Sequence, residues 1–171
     1  FHLWRLSRGC KTGAGMRKGA RDRSLKPVIR IAKKEELDAL FELEEICFKE
    51  EKFHWKQLKY LLLKARSVVL VAGDGGIIGS IIVLLRENIH NARIYSLNVH
   101  PAHRRQGIAS LLMDKTMELL KEKGVNKVTL EVGVNNKPAQ NLYASKGFVV
   151  DKKLYNYYKN GDGALHLSRK L

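Results

Sequence analysis

Cysteine is scarce in this 171-residue chain: Cys10 and Cys47 are the only two, and their spacing makes no metal or redox motif. The six histidines (His2, His54, His90, His100, His103 and His166) lack the short helical spacing of a metal pair, so no metal site is expected. With three prolines and no internal repeat, the chain is neither a Pro-rich low-complexity protein nor a repeat array. Nothing approaches the roughly 18–20 consecutive apolar residues of a membrane helix, and Gly76–Leu85 reads as a buried strand. The opening Phe1-His-Leu-Trp has neither a long apolar core nor a cleavage site, so no signal peptide is expected. These absences point to a reducing, cytoplasmic setting without a membrane. Acids also run short, with 17 Asp and Glu against 32 Lys and Arg, a net charge of +15. That balance favours anionic partners: a phosphorylated cofactor, RNA-rich surroundings or acidic peptides.

What is present is the composition of a globular domain, 44% hydrophobic and 29% charged, long enough for one self-sufficient core. The charge is uneven. Residues 1–26 hold eight Lys/Arg against Asp22 alone and have no sustained period, which predicts a flexible basic arm ahead of a domain at 27–171. Strands are predicted at Val28–Ala32, Ser67–Ala72, Ile77–Arg86, Asn91–Val99, Lys127–Val132, Phe148–Tyr155 and Ala164–Arg169. Helices are predicted at Lys33–Phe48, with Leu37, Leu40, Phe41, Leu43 and Cys47 as its apolar face, and at His54–Lys64, Gln106–Lys123 and Pro138–Ser145. The glycines of Gly73–Gly76 join strand to strand, so they signal a tight turn rather than a nucleotide loop. The order predicts an α/β (α+β) protein: a mixed sheet of about seven strands with helices on both faces.

One junction carries chemistry. Arg104-Arg105-Gln106-Gly107-Ile108-Ala109 lies where a strand gives way to the long amphipathic helix. Gly107 and Ala109 permit a tight turn, the free N–H groups of a helix start converge, and Arg104 and Arg105 add positive charge. Such a turn suits a pyrophosphate, or is simply a solvated helix cap.

With its downstream partners this turn resembles the GNAT-type N-acetyltransferases, whose signature of Arg/Gln-x-x-Gly-x-Gly/Ala reads here as Arg104–Ala109, preceded by Val99-His100-Pro101. The run Leu130-Glu131-Val132-Gly133-Val134-Asn135-Asn136-Lys137-Pro138-Ala139-Gln140-Asn141-Leu142-Tyr143, then Gly147-Phe148, is similar to the subgroup acting on ribosomal-protein and other protein N-termini. Asn156–Ala164 matches that subgroup's tail motif. The resemblance spans Val28 to the end. It implies the GNAT fold, acetyl-coenzyme A as cofactor, and direct attack in a ternary complex with no covalent enzyme intermediate. Cys47 is then a structural residue.

Residue by residue, the resemblance implies that Leu97, Asn98 and Val99 lend backbone groups to the cofactor arm, with the Val99 N–H facing the thioester oxygen. Arg104, Arg105, Gln106, Gly107, Ile108, Ala109 and Ser110 would seat the pyrophosphate, and Asn136 would touch coenzyme A or, alternatively, cap a helix. Glu131 is implied as the general base and Tyr143 as the acid for the departing sulfur, against the plainer readings of a solvated strand residue and an aromatic anchor. Phe48 and Phe53 would wall the peptide groove opposite Tyr157 and Tyr158, of which one should face inward and one outward. Two departures touch the acceptor side: Phe48 is followed by Lys49-Glu50-Glu51-Lys52 where the subgroup usually has Pro, and Gly133 stands where it commonly has Arg. The acceptor is therefore expected to be a protein or peptide N-terminus, a ribosomal protein among the candidates, with a small amine or lysine side chain as the alternative. A third reading is a non-catalytic RNA- or ribosome-associated module. Nucleic acid is not required by the first two, although the basic arm allows weak electrostatic association with it.

Overall fold

The computed structural model describes residues 27–48, 54–86 and 90–171. The basic arm at 1–26, the Lys49–Lys52 run and Phe53 lie outside the described residues. The elements in order are β1 (Ile29–Ile31), α1 (Leu37–Cys47), α2 (Trp55–Leu63), β2 (Ser67–Ala72), β3 (Gly79–Leu85), β4 (Asn91–Val99), α3 (Ile108–Glu122), β5 (Lys127–Gly133), α4 (Lys137–Ser145), β6 (Val149–Leu154) and β7 (Ala164–Lys170). The seven strands form one sheet, ordered β1-β2-β3-β4-β5-β7-β6, with every neighbour antiparallel except β4 and β5.

The two-faced burial follows from the sequence of β2. Val68, Leu70 and Ala72 point to one face, Val69 and Val71 to the other, and all five are buried. On the first face they join a core built with Ile108, Leu112, Met113, Met117 and Leu120 of α3, which extends to Ala139 and Tyr143 of α4. On the second they meet Leu37 and Leu40 of α1 and Leu58 and Leu61 of α2. Each fully buried leucine contributes about 1.5–3 kcal/mol.

Boundaries moved where local chemistry overrode the apolar period. The first helix opens as a 3-10 turn at Lys34–Glu36, where Glu36 accepts hydrogen bonds from Arg30 Nη1 and from the Lys33 N–H. α3 begins at Ile108 rather than Gln106 because Arg105 and Gly107 both take left-handed backbone angles, φ +59° and +77°. A short 3-10 turn at Pro101–His103 precedes them, with His100 Nδ1 accepting from the Ala102 N–H at 3.0 Å. Within α3, Met113 and Thr116 are buried while Leu111 and Leu119 are only half-buried. The Thr116 hydroxyl is accommodated there by donating to the Leu112 carbonyl at 2.7 Å.

The feature that positions the site is where β4 and β5 stop pairing. Asn91, Ala92 and Arg93 register with Lys127, Val128 and Thr129, and the ladder ends there. Beyond that point β4 runs on to Val99 and β5 to Gly133 as diverging strands. A β-bulge contributes to the divergence: Ile82 pairs with Ser96 and Val83 with Ile94, leaving Tyr95 as the extra residue. A bulge bends its strand and re-aims side chains. Here Ile94 and Leu97 join the α3 face, while Tyr95 joins the α1–α2 core and Ser96 and Asn98 turn toward α1.

Candidate active site

The gap between β4 and β5 is lined on the β4 side by backbone. The His100 N–H donates to the Ile78 carbonyl at 2.7 Å, and Val99 lies opposite Gly79. Antiparallel alternation then turns the Leu97 and Val99 amides away from β3 and into the gap, while the backbone of Asn98 pairs toward β3. Of these three sequence-predicted residues, two present backbone groups to the gap. Asn98 is instead anchored through its side chain: Nδ2 donates to Glu44 Oε2 at 2.8 Å, and its Oδ1 accepts from the Ser96 hydroxyl at 2.9 Å. All three polar residues are buried. The Val99 carbonyl accepts from Arg104 Nε at 3.3 Å and from the Cys47 thiol at 3.5 Å. Burial pushes that thiol up to about 11, well outside the range of a neutral-pH nucleophile.

At the mouth of the gap the chain turns through Arg104–Gly107 into α3. Two residues of this turn, Arg105 and Gly107, take left-handed backbone angles, a conformation that recurs where successive N–H groups line an anion-binding concavity. By helix geometry the amides of Ile108, Ala109 and Ser110 have no partner within α3, whose first ladder bond runs from the Leu111 N–H to the Gly107 carbonyl at 3.0 Å. Beyond the residues next to it in the chain, nothing lies within 4 Å of where a Gly107 Cβ would project, so glycine serves there for its backbone angle and not for space. The helix meets the sheet closely at Gly79, whose Cβ would approach the Asn98 carbonyl and Ile108 Cγ2, both at 3.1 Å.

Four candidate side chains gather along β5 and the connection to β7. Glu131 is buried yet charged-partnered: Oε2 accepts from Arg93 Nε at 3.0 Å and Nη2 at 2.9 Å, and Oε1 lies 3.3 Å from His166 Nδ1. His166 stands directly across the β5–β7 ladder from Glu131. The Tyr157 hydroxyl accepts from Arg93 Nη2 at 3.4 Å. Burial and the nearby Glu131 charge raise the Tyr157 phenol above its usual range. Tyr143 is fully buried, its ring edge-on to Phe148 at 5.9 Å between centroids, and burial raises its phenol well above the ordinary tyrosine value, with Tyr158 nearby adding to the shift. The Tyr158 ring lies 3.7 Å from the ideal Cβ position of Gly133, so it covers the point where a side chain at 133 would begin.

The tyrosine pair departs from the alternation expected of a strand. β6 ends at Leu154 and Asn156 is left-handed (φ +49°), so Tyr157 and Tyr158 sit on a turn and both are half-buried, their rings perpendicular at 5.1 Å. Their amides both donate to the Asp162 carbonyl at 3.0 Å, which fixes the turn. Asn136 caps α4, its Oδ1 accepting from the Ala139 N–H at 3.3 Å. Phe48 is buried behind the end of α1, its N–H donating to the Glu44 carbonyl.

A model of the acetyltransferase (GNAT) family matches residues 32–148. The chain belongs to this family. It is 35% identical over 115 residues to the Arabidopsis thaliana N-alpha-acetyltransferase MAK3, covering 66% of this chain and 56% of that protein. It is 27% identical over 154 residues to a Sulfurisphaera tokodaii N-alpha-acetyltransferase, covering 84% of this chain and 92% of that one. The chain spans about half the length of the plant relative, and 30% of human N-alpha-acetyltransferase 30. Among solved structures, the ribosomal-protein-S18-alanine N-acetyltransferase of Escherichia coli superposes with a TM-score of 0.77 at 22% identity, covering 84% of this chain and 93% of that one. The NatC complex bound to Gag peptide and CoA gives 0.77 at 23%, covering 86% and 99%. These two likenesses establish the GNAT fold.

In this GNAT chain the sequence reading missed Arg93, His166, Glu44 and Gln140. Glu44 left a trace, a carboxylate on the apolar stripe of α1 between Leu40 and Cys47. Gln140 Nε2 donates to the Gly133 and Val134 carbonyls at 2.9 and 3.0 Å, tying the end of β5 to α4. Arg93 and His166 meet Glu131 only through strand pairing, which no local spacing encodes. No group of three or more metal-binding side chains occurs among the described residues, and none of their helices is long and apolar enough to cross a membrane.

Proposed function

We propose that this chain transfers an acetyl group from acetyl-coenzyme A to the α-amino group of a protein or peptide N-terminus. The observation that carries this reading is the gap between β4 and β5, with the Leu97 and Val99 amides facing in and the Arg104–Ser110 turn at its mouth. Inward amides, an arginine-flanked nest and a helix start suit an extended amide-bearing arm ending in a pyrophosphate. When bound, the cofactor supplies an acetyl group activated as a thioester. The Val99 N–H would hold the carbonyl oxygen, a fixed dipole where negative charge develops. Glu131 would accept the proton of the incoming amine at Oε1, directly or through a water. The Tyr143 phenol, kept protonated by burial, would hold the proton needed by the departing sulfur. Cys47 takes no part, being a neutral thiol bonded to Val99.

The acceptor reading rests on the turn at Tyr157–Tyr158. Two half-buried rings set at right angles, one of them covering Gly133, narrow the acceptor side more than an open amine pocket would require. A ribosomal protein is one candidate acceptor. The setting is cytoplasmic, and the basic arm at residues 1–26 adds weak association with nucleic acid without being needed for turnover. The test is turnover on short peptides beginning with Met, Ala or Ser, each with a free or blocked N-terminus. Turnover on the free peptides alone is expected; turnover only on blocked, lysine-containing peptides would transfer the assignment to side-chain amines. Absence of both coenzyme A binding and turnover would favour a non-catalytic module.

A further inference from the structure

We propose that Arg93 is a positioning residue for the acceptor half of the reaction, holding Glu131 ready for the amine proton and linking that carboxylate to Tyr157 of the peptide-facing turn. This rests on the reading of Glu131 as proton acceptor.

Arg93 stands at the vertex of the gap. Opposite Thr129, it is the last β4 residue paired to β5 before the strands part. Its guanidinium spends both Nε and Nη2 on the same oxygen, Oε2 of Glu131, which leaves Oε1 as the oxygen turned toward other partners. Nη2 also donates to the Tyr157 hydroxyl at 3.4 Å. The guanidinium is itself braced over the Tyr95 ring at 5.8 Å, and the Tyr95 hydroxyl accepts from Gln57 Nε2 of α2 at 3.2 Å. One planar cation thus joins β4, β5 and the β6–β7 connection, and Tyr95 beneath it carries the link on to α2. A lysine carries one charge point and cannot make this fork.

Two consequences follow. A carboxylate with only 11% of its side-chain surface exposed is paired with an adjacent cation, and the pairing fixes the direction in which its other oxygen points. A peptide that displaces or reorients Tyr157 is felt at Glu131 through the shared Nη2. The charged and titratable groups around this pair are Arg93 from β4, His166 from β7, Tyr157 from the turn and, beyond His166, Asp151 of β6 with its Oδ2 3.7 Å from Nε2. Asp151 is the residue skipped between the Val150–Leu167 and Lys152–His166 pairs, a bulge facing the same cluster.

The test is steady-state kinetics of Arg93→Gln and Arg93→Lys, with the side-chain carboxyl resonance of Glu131 compared by NMR in the same proteins. In R93Q kcat should fall at least tenfold while KM for acetyl-coenzyme A stays within twofold, and the Glu131 carboxyl chemical shift should change. R93K should recover most of kcat, since it restores a cation beside Glu131, and should raise KM for the peptide, because the bond to Tyr157 is lost. An unchanged kcat in R93Q, equal losses in R93Q and R93K, or a Glu131 carboxyl resonance superimposable on the parent protein would overturn the proposal. Should R93Q not fold, R93K carries the test alone: an unchanged peptide KM would count against the link to Tyr157. Glu131→Gln separates the two readings. If E131Q turns over normally, the proton-acceptor assignment fails; if E131Q is inactive and R93Q has the parent kinetics, only the role of Arg93 fails.

Discussion

Replacing Asn98 by alanine should destabilise the domain by about 2–4 kcal/mol, and the reason lies beneath the cofactor strand. The Asn98 carboxamide is the middle member of a buried chain, accepting from Ser96 at 2.9 Å and donating to Glu44 at 2.8 Å. Alanine removes both bonds at once, depriving a carboxyl that is 2% exposed and a hydroxyl on a residue 1% exposed. Each buried polar group deprived of a partner costs about 1–3 kcal/mol. An unfolding entropy of about 2.1 cal/mol/K per residue converts a loss of 3 kcal/mol into a drop in Tm of about 8 °C for 171 residues. Scanning calorimetry and urea titration of N98A against the parent protein read this directly. Asn98→Asp sharpens the test, since it sets a second carboxyl against Glu44; its deficit at pH 7 should exceed that of N98A and shrink as pH falls. Coenzyme A affinity should weaken alongside, because Leu97 and Val99 flank the anchored residue. A loss below 0.5 kcal/mol in N98A, with unchanged coenzyme A affinity, would refute the argument that this chain of bonds holds the strand in place.

Tyr143→Phe should leave Tm within a few degrees and lower kcat about a hundredfold, the usual scale for losing a positioned proton donor; steady-state kinetics on a free-amine peptide check it. Burial holds the Tyr143 proton well above the ordinary phenol range, so the parent enzyme should show no alkaline limb from this group up to pH 10. In a Cys10→Ser background, Cys47 should react with iodoacetamide about a hundredfold more slowly folded than unfolded, since its thiol is raised from 9.0 to about 11; mass spectrometry of timed quenches reads the ratio. Glu36, hydrogen-bonded to Arg30, is lowered from 4.5 to about 2, so the stability it contributes is present above the unfolded value and is lost as pH falls from about 4.5 toward 2. NMR titration should place its midpoint near 2, and Arg30→Met should return it toward 4.5.

The order of elements was legible because each carries its own period: the doubly buried run of β2, the apolar stripe of α3, and the turn glycines at 73–76. The turn into α3 was legible for a related reason, since Arg104–Ala109 is one contiguous stretch and a turn with its helix is a local object. The surroundings of Glu131 were not. Glu131 and Tyr143 share a motif, but what surrounds Glu131 comes from residues 38 positions upstream and 35 downstream, joined by strand register.

Register explains why Arg93 was passed over. In sequence it is a cation in a strand beginning Asn91-Ala-Arg, equally suited to a solvated edge. Its meaning depends on two facts absent from any local window: β4 pairs with β5 for three residues only, and the bulge at Tyr95 lies just beyond. The same two facts create the gap. A chain with a normal ladder through Val99 and Gly133 would spend the Leu97 and Val99 amides on β5 and leave no opening. The strand divergence that frees the Leu97 and Val99 backbone therefore also leaves Arg93 as the last paired residue, from which its guanidinium reaches both Glu131 and Tyr157. On the proposed function, cofactor seat and acceptor seat are two consequences of one interrupted ladder, and a substitution that extended β4–β5 pairing past Arg93 should impair coenzyme A affinity and peptide turnover together.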